Sequence, residues 1–72
     1  DLVIEVALDR VMQLRAFPNL NKAPSTAEVL VWLTLLSAQG IDEATLKARS
    51  LGELPLLTAL IKDRDDLERL AS

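Results

Sequence analysis

Residues 25–40, STAEVLVWLTLLSAQG, carry a start signal, a stop signal and an almost unbroken apolar run between them, and this stretch constrains the fold more than any other. Ser25 followed three residues later by Glu28 is a capping box. The serine hydroxyl accepts from the backbone N–H of Glu28, and the glutamate carboxylate accepts from the N–H of Ser25. Gly40 can take the left-handed conformation that closes a helix. Between these ends Val29, Leu30, Trp32, Leu33, Leu36 and Ala38 cover so much of the circumference that this helix is expected at the centre, packed by the others. Ser25, Trp32 and Gly40 are therefore its structural residues. Glu28, Val31, Leu35 and Gln39 lie at spacings of three and four and should form its least buried stripe, yet the middle of that stripe is apolar. Either the surrounding helices bury this side too, or it is an interface for another domain or partner.

The flanking sequence reads as more helix. From Leu2 to Ala16 the polar residues Glu5, Asp9 and Gln13 recur every four positions, with Leu2, Val3, Val6, Val11 and Leu14 on the opposite side. Pro18 disfavours helical geometry at Phe17, so FPNLNKAP is a loop, closed by Pro24. Asp42 caps a third helix from Glu43 to about Ser50, with Leu46 and Ala48 inward and Lys47 and Arg49 near its C-terminus, where the helix dipole favours cations. Gly52 is expected to end it. Pro55 suits the first turn of a fourth helix with Leu54, Leu57, Leu60 and Ile61 as its apolar stripe. Asp63 caps a short fifth helix that carries Leu67 and Leu70 inward and leaves Asp65, Asp66, Glu68 and Arg69 in solvent. No repeat and no strand pattern is evident. The expected fold is all-α, a small bundle of four to five helices forming one domain over residues 1–72.

Composition narrows the chemistry. The only aromatics are Phe17 and Trp32, so the core is mostly aliphatic. Eleven acidic against eight basic residues leave a net charge of -3, which repels a phosphate backbone; nucleic acid is not an expected partner. Lys47 and Arg49 are too sparse to make the third helix a DNA reader. Cysteine and histidine are both absent, which excludes disulfides, thiolate and imidazole catalysis and the common zinc ligand sets. The longest apolar stretch, Val29 to Leu36, falls short of the roughly 18 to 20 residues needed to span a bilayer. No membrane role is expected. With no signal-like start, the expected location is cytoplasmic. The chain opens at Asp1 within a helical pattern and without an initiator methionine, as a piece of a longer protein would.

Candidate catalytic and metal sites do not survive inspection. Asp63, Asp65 and Asp66 in KDRDDLERL invite a calcium reading, but the glycine and distal glutamate of an EF-hand loop are missing. Glu28 beside Trp32 has no nucleophile or acid partner in the sequence, and its capping role suffices. No glycine-rich phosphate loop occurs. Neither catalytic nor metal-binding residues are assigned.

A resemblance goes further. Pro24, Ser25, Ala27, Glu28, Leu30 and Trp32, then Gly40, then Leu60, Ile61, Lys62 and Asp66 form a pattern, PSxAExLxW followed by a Gly-terminated turn and LIKxxxD. This pattern resembles the C-terminal helical lid of MoxR-type AAA+ ATPases, and the preceding helix fits as well. The resemblance implies a parent protein with an α/β core N-terminal to Asp1 that binds ATP and magnesium. It also implies a hexameric ring with contacts to adjacent subunits, and chaperone-like action on clients bearing von Willebrand type A domains. The lid would cover the nucleotide and couple hydrolysis to rigid-body rearrangement of the ring. Two positions depart from the pattern. The first turn after Ser25 lacks the sensor-two arginine of many AAA+ lids; sensing comes either from elsewhere or from Lys22 in the preceding loop as a cofactor-binding residue. Val31 stands where relatives more often carry Asp. The alternative function is an independent helical interaction module that uses the Val31 and Leu35 face to bind a partner helix or itself.

Overall fold

The computed structural model describes residues 1–71; the last residue of the expected 1–72 domain lies outside them. Four α-helices, α1 (Leu2–Ala16), α2 (Thr26–Ala38), α3 (Glu43–Ala48) and α4 (Arg64–Ala71), are joined by loops and by two 3-10 turns, Leu51–Glu53 and Leu57–Ala59. No strand occurs among the described residues. The architecture is all-α, as the hydrophobic periodicity requires.

Each boundary has a local cause. The Asp1 carboxylate accepts from Val3 N–H and caps α1. Phe17 turns extended (ψ 128) ahead of Pro18, because the proline ring clashes with a helical residue before it. Both halves of the Ser25–Glu28 capping box are formed. At the other end of α2, Gly40 adopts φ +66, Gly40 N–H donates to Ser37 C=O and Ile41 N–H to Leu36 C=O. This pair of bonds is a Schellman motif. Asp42 accepts from Thr45 N–H and starts α3, and Asp63 accepts from Asp66 N–H and starts α4.

The core joins Val6, Ala7, Val11 and Leu14 of α1 to Val29, Trp32 and Leu36 of α2, with Leu46, Leu54, Leu57, Leu60, Ile61 and Leu70 closing it. Trp32 is completely buried and its indole N–H donates to Pro55 C=O at 2.9 Å. This bond satisfies the ring's one polar group, which burial would otherwise penalise. α1 packs on α3, α2 on the Leu57–Ala59 turn, and α4 on the Leu51–Glu53 turn.

Several expectations are corrected. The leucines from Leu54 to Ile61 are buried as expected, but not on an α-helix. Leu54 is extended (φ -59, ψ 140) as a residue before proline must be, and Leu56 is left-handed (φ 57), so only a single 3-10 turn forms after it. α3 ends at Ala48, with Arg49 extended, and Ala48 points to solvent. Gly52 does not end α3; it sits inside a 3-10 turn pressed against α4, where an added Cβ would lie 2.3 Å from Leu70 C=O. Leu2 is 59% exposed rather than inward. Asp66, expected in solvent, is fully buried.

Candidate functional site

α2 is the one helix whose composition contradicts its surroundings. Glu28 is its only charged residue, and that side chain is engaged by the cap. The helix buries Val29, Trp32 and Leu36, but its opposite side is open. Ala27, Thr34 and Ala38 are exposed, and Leu30 and Val31 expose 59% and 54% of their surface. A helix that is apolar all round belongs in an interior, yet this chain covers only half of it. The central-helix expectation is thus corrected. Trp32 is wrapped, but Leu30 and Ala38, expected inward, face out.

The four expected interface residues divide. Val31 is open, Leu35 is half-buried beside it, and both line a shallow depression with Leu30 and Thr34. Gln39 is the exposed C-cap of α2, donating its N–H to Leu35 C=O. Glu28 is occupied: it accepts from Ser25 N–H at 3.0 Å, which together with Lys22 and Lys62 nearby holds its carboxyl below the usual range. A second depression, bounded by Ala27, Glu28, Val31, Ala59 and Lys62, continues the first around the same flank. The surface is therefore apolar along Val31 and Leu35, with a lysine at one edge.

Lys22 exposes its side chain, but its backbone is fixed. The buried Asp66 carboxylate accepts from Asn21 N–H at 2.7 Å and Lys22 N–H at 2.8 Å, and from the Arg69 guanidinium at 3.0 Å. Burial pushes the Asp66 pKa up, but the two backbone donors and Arg69 outweigh it, and the net direction is down. Asp66 thus ties the α1–α2 loop to α4 and sets where Lys22 leaves the backbone. Sequence reasoning missed this role. The signal was present in the spacing: Asp66 and Leu70 are four apart on one helix face, and Leu70 is inward. Arg10 was also missed. Its buried Nε–H donates to no acceptor among the described residues, while a terminal nitrogen reaches from α1 to donate to Arg49 C=O at the end of α3, a favourable place for a cation.

The aspartates of KDRDDLERL do not converge. Asp63 caps α4, Asp66 points inward and Asp65 faces solvent. No cluster suited to a metal ion occurs among the described residues, and no helix among them is long and apolar enough to cross a membrane. The open flank of α2 presents a surface of apolar side chains. Comparison with known proteins gives no match: no protein family, no curated protein and no solved structure matches this chain.

Proposed function

We propose that this chain is the helical lid subdomain of a MoxR-like AAA+ ATPase, docked through the Val31 and Leu35 flank of α2 onto a nucleotide-binding core of the same chain and onto adjacent subunits. The observation that carries the reading is the half-covered α2, which bears no charge but the Glu28 of its cap. Leaving Leu30, Val31 and Leu35 in water forgoes roughly 25 cal/mol for each Å² of apolar surface, and a docked domain recovers it. The sequence resemblance supplies the kind of domain. In this reading ATP and magnesium bind in the parent protein rather than here, the assembly is a hexameric cytoplasmic ring, and its clients bear von Willebrand type A domains. The lid moves as a rigid body, because its core and both ends of α2 are locked internally. Asp66 positions the loop bearing Lys22, the one cation placed ahead of a first turn that holds no sensor arginine.

The test begins upstream of Asp1. A Gly-x-x-x-x-Gly-Lys-Ser/Thr loop at a distance suited to an α/β core is the expected finding. Its absence defeats the lid reading and leaves an independent interaction module using the same flank. Where the loop is present, Val31→Gln, a polar side chain that the family pattern does not place there, is expected in the full-length protein to lower ATP turnover about threefold or more while circular dichroism is unchanged. Unaltered turnover would remove the docking role from this flank.

A further inference from the structure

The α1 side of α2 carries a second apolar feature, which shares only Leu30 with the flank that the lid reading uses. α1 and α2 run antiparallel, and between them lies a groove walled by Leu8 and Met12 on one side and Leu30 and Leu33 on the other. It continues past Leu33 to Ile4 and the α2 C-terminus. Ile4, Leu8 and Met12 recur at four-residue spacing and are 46%, 45% and 60% exposed, so the wall is a continuous stripe on one helix face. The groove follows the 15 residues of α1, about 22 Å at 1.5 Å per residue. That length suits roughly four turns of a partner helix.

Charge decides between occupants. Glu5 and Asp9 are exposed along the outer edge of the Leu8 and Met12 stripe and form no ion pair among the described residues. Asp42 lines one end of the groove, and its carboxyl is held below the usual range by Thr45 N–H, so it stays ionised. Arg15 is the only cation lining the groove, at the opposite end, and it is partly engaged with Pro24 C=O. A second copy would bring another acidic edge and another net charge of -3 against this one, which opposes association. An amphipathic helix with an apolar stripe and lysines or arginines beside it matches both features.

We propose that the α1–α2 groove is a docking site for a basic amphipathic helix of a partner protein, its apolar stripe between Met12 and Leu30 and its cations over Glu5, Asp9 and Asp42. This is helix-in-groove recognition with electrostatic selection. Leu30 borders both surfaces, but the remaining walls of the groove lie on the opposite flank of α2 from Val31 and Leu35, so the two sites are tested by different substitutions.

The probe is a fluorescein-labelled designed helix of about 16 residues, with leucines at i, i+4, i+7 and i+11 flanked by lysines, followed by anisotropy. A matched peptide with glutamates in place of the lysines is the control. The lysine peptide is expected to bind, the glutamate peptide at least about tenfold more weakly, and added salt should narrow the gap. Met12→Asp is expected to weaken the lysine peptide about tenfold or more, with circular dichroism confirming that this exposed position leaves the fold intact. Val31→Gln, which adds no charge beside Leu30, is expected to leave binding unchanged, which separates this site from the lid interface. Equal binding of the two peptides, binding of neither, or insensitivity to Met12→Asp would overturn the proposal. So would sedimentation as a dimer that Met12→Asp dissociates, because the groove would then belong to a second copy.

Discussion

Replacing Trp32 is expected to cost more than any other single truncation in this chain, and two variants separate the reasons. The ring is fully buried and donates to Pro55 C=O at 2.9 Å. Trp32→Ala removes the largest buried side chain and leaves a cavity between α2 and the Leu57–Ala59 turn, a change worth about 3–5 kcal/mol. Trp32→Phe keeps most of the apolar burial but deletes the N–H and leaves the Pro55 carbonyl without its partner, about 1–3 kcal/mol. Against a total stability of about 4–11 kcal/mol for 72 residues, the alanine variant loses about a quarter or more of its margin. Urea unfolding followed by circular dichroism reads both. With a slope near 1 kcal/mol per molar for so small a domain, Trp32→Phe should lower the midpoint by about 1–3 M. Trp32→Ala should be largely unfolded before denaturant is added or have a midpoint lower still. Both variants lying within about 0.5 kcal/mol of the parent would refute a core built around this ring.

Gly52→Ala forces a Cβ to within 2.3 Å of Leu70 C=O, and since backbone lies on both sides the α4 packing must shift; a loss of about 1–3 kcal/mol is expected in the same urea assay. Ser25→Ala removes the hydroxyl that accepts from Glu28 N–H at 3.2 Å and should cost about 1 kcal/mol. Asp66→Asn weakens the tie between α4 and the Asn21–Lys22 backbone, and amide exchange at those two residues is expected to accelerate before global unfolding does. Asp66 also shapes the acid limb of stability. Its folded pKa lies below the ordinary 3.8, so the unfolded state binds the proton more readily. Its stabilisation is present above that value and is lost as pH falls through the folded pKa. Stability should therefore decline as pH falls below the ordinary 3.8, less steeply in Asp66→Asn; an unchanged slope would contradict the buried carboxylate's role.

Elements whose signals are local were legible in sequence. Ser25 with Glu28 names the start of α2 through two reciprocal bonds, and Gly40 names its end, because only a residue tolerant of positive φ closes a Schellman motif there. Asp42 and Asp63 announce α3 and α4 in the same way. Burial of Leu54, Leu57, Leu60 and Ile61 was legible too, but not their backbone. By sequence Pro55 suits the first turn of a helix, whereas its restriction on Leu54 and the left-handed Leu56 divide the segment into turns. Long-range effects were the hardest to read. Asp66 looks like one of several surface acids until Asn21 and Lys22, 45 and 44 residues away, present their N–H groups to it. The open side of α2 was half-read: Val31 and Leu35 stood out as an apolar stripe, while Leu30 looked like core because spacing alone does not say how far α1 reaches around the helix.

These 72 residues contain no cysteine, so a thiol introduced at position 31 is the one thiol of this segment and reports directly on whether another body covers α2. In the full-length protein, Val31→Cys should react with a maleimide at least about tenfold more slowly than Gln13→Cys, an exposed position on the outer side of α1, with labelling at each site read by peptide mass. Equal rates at the two positions would show that the Val31 flank remains in water and that nothing docks there.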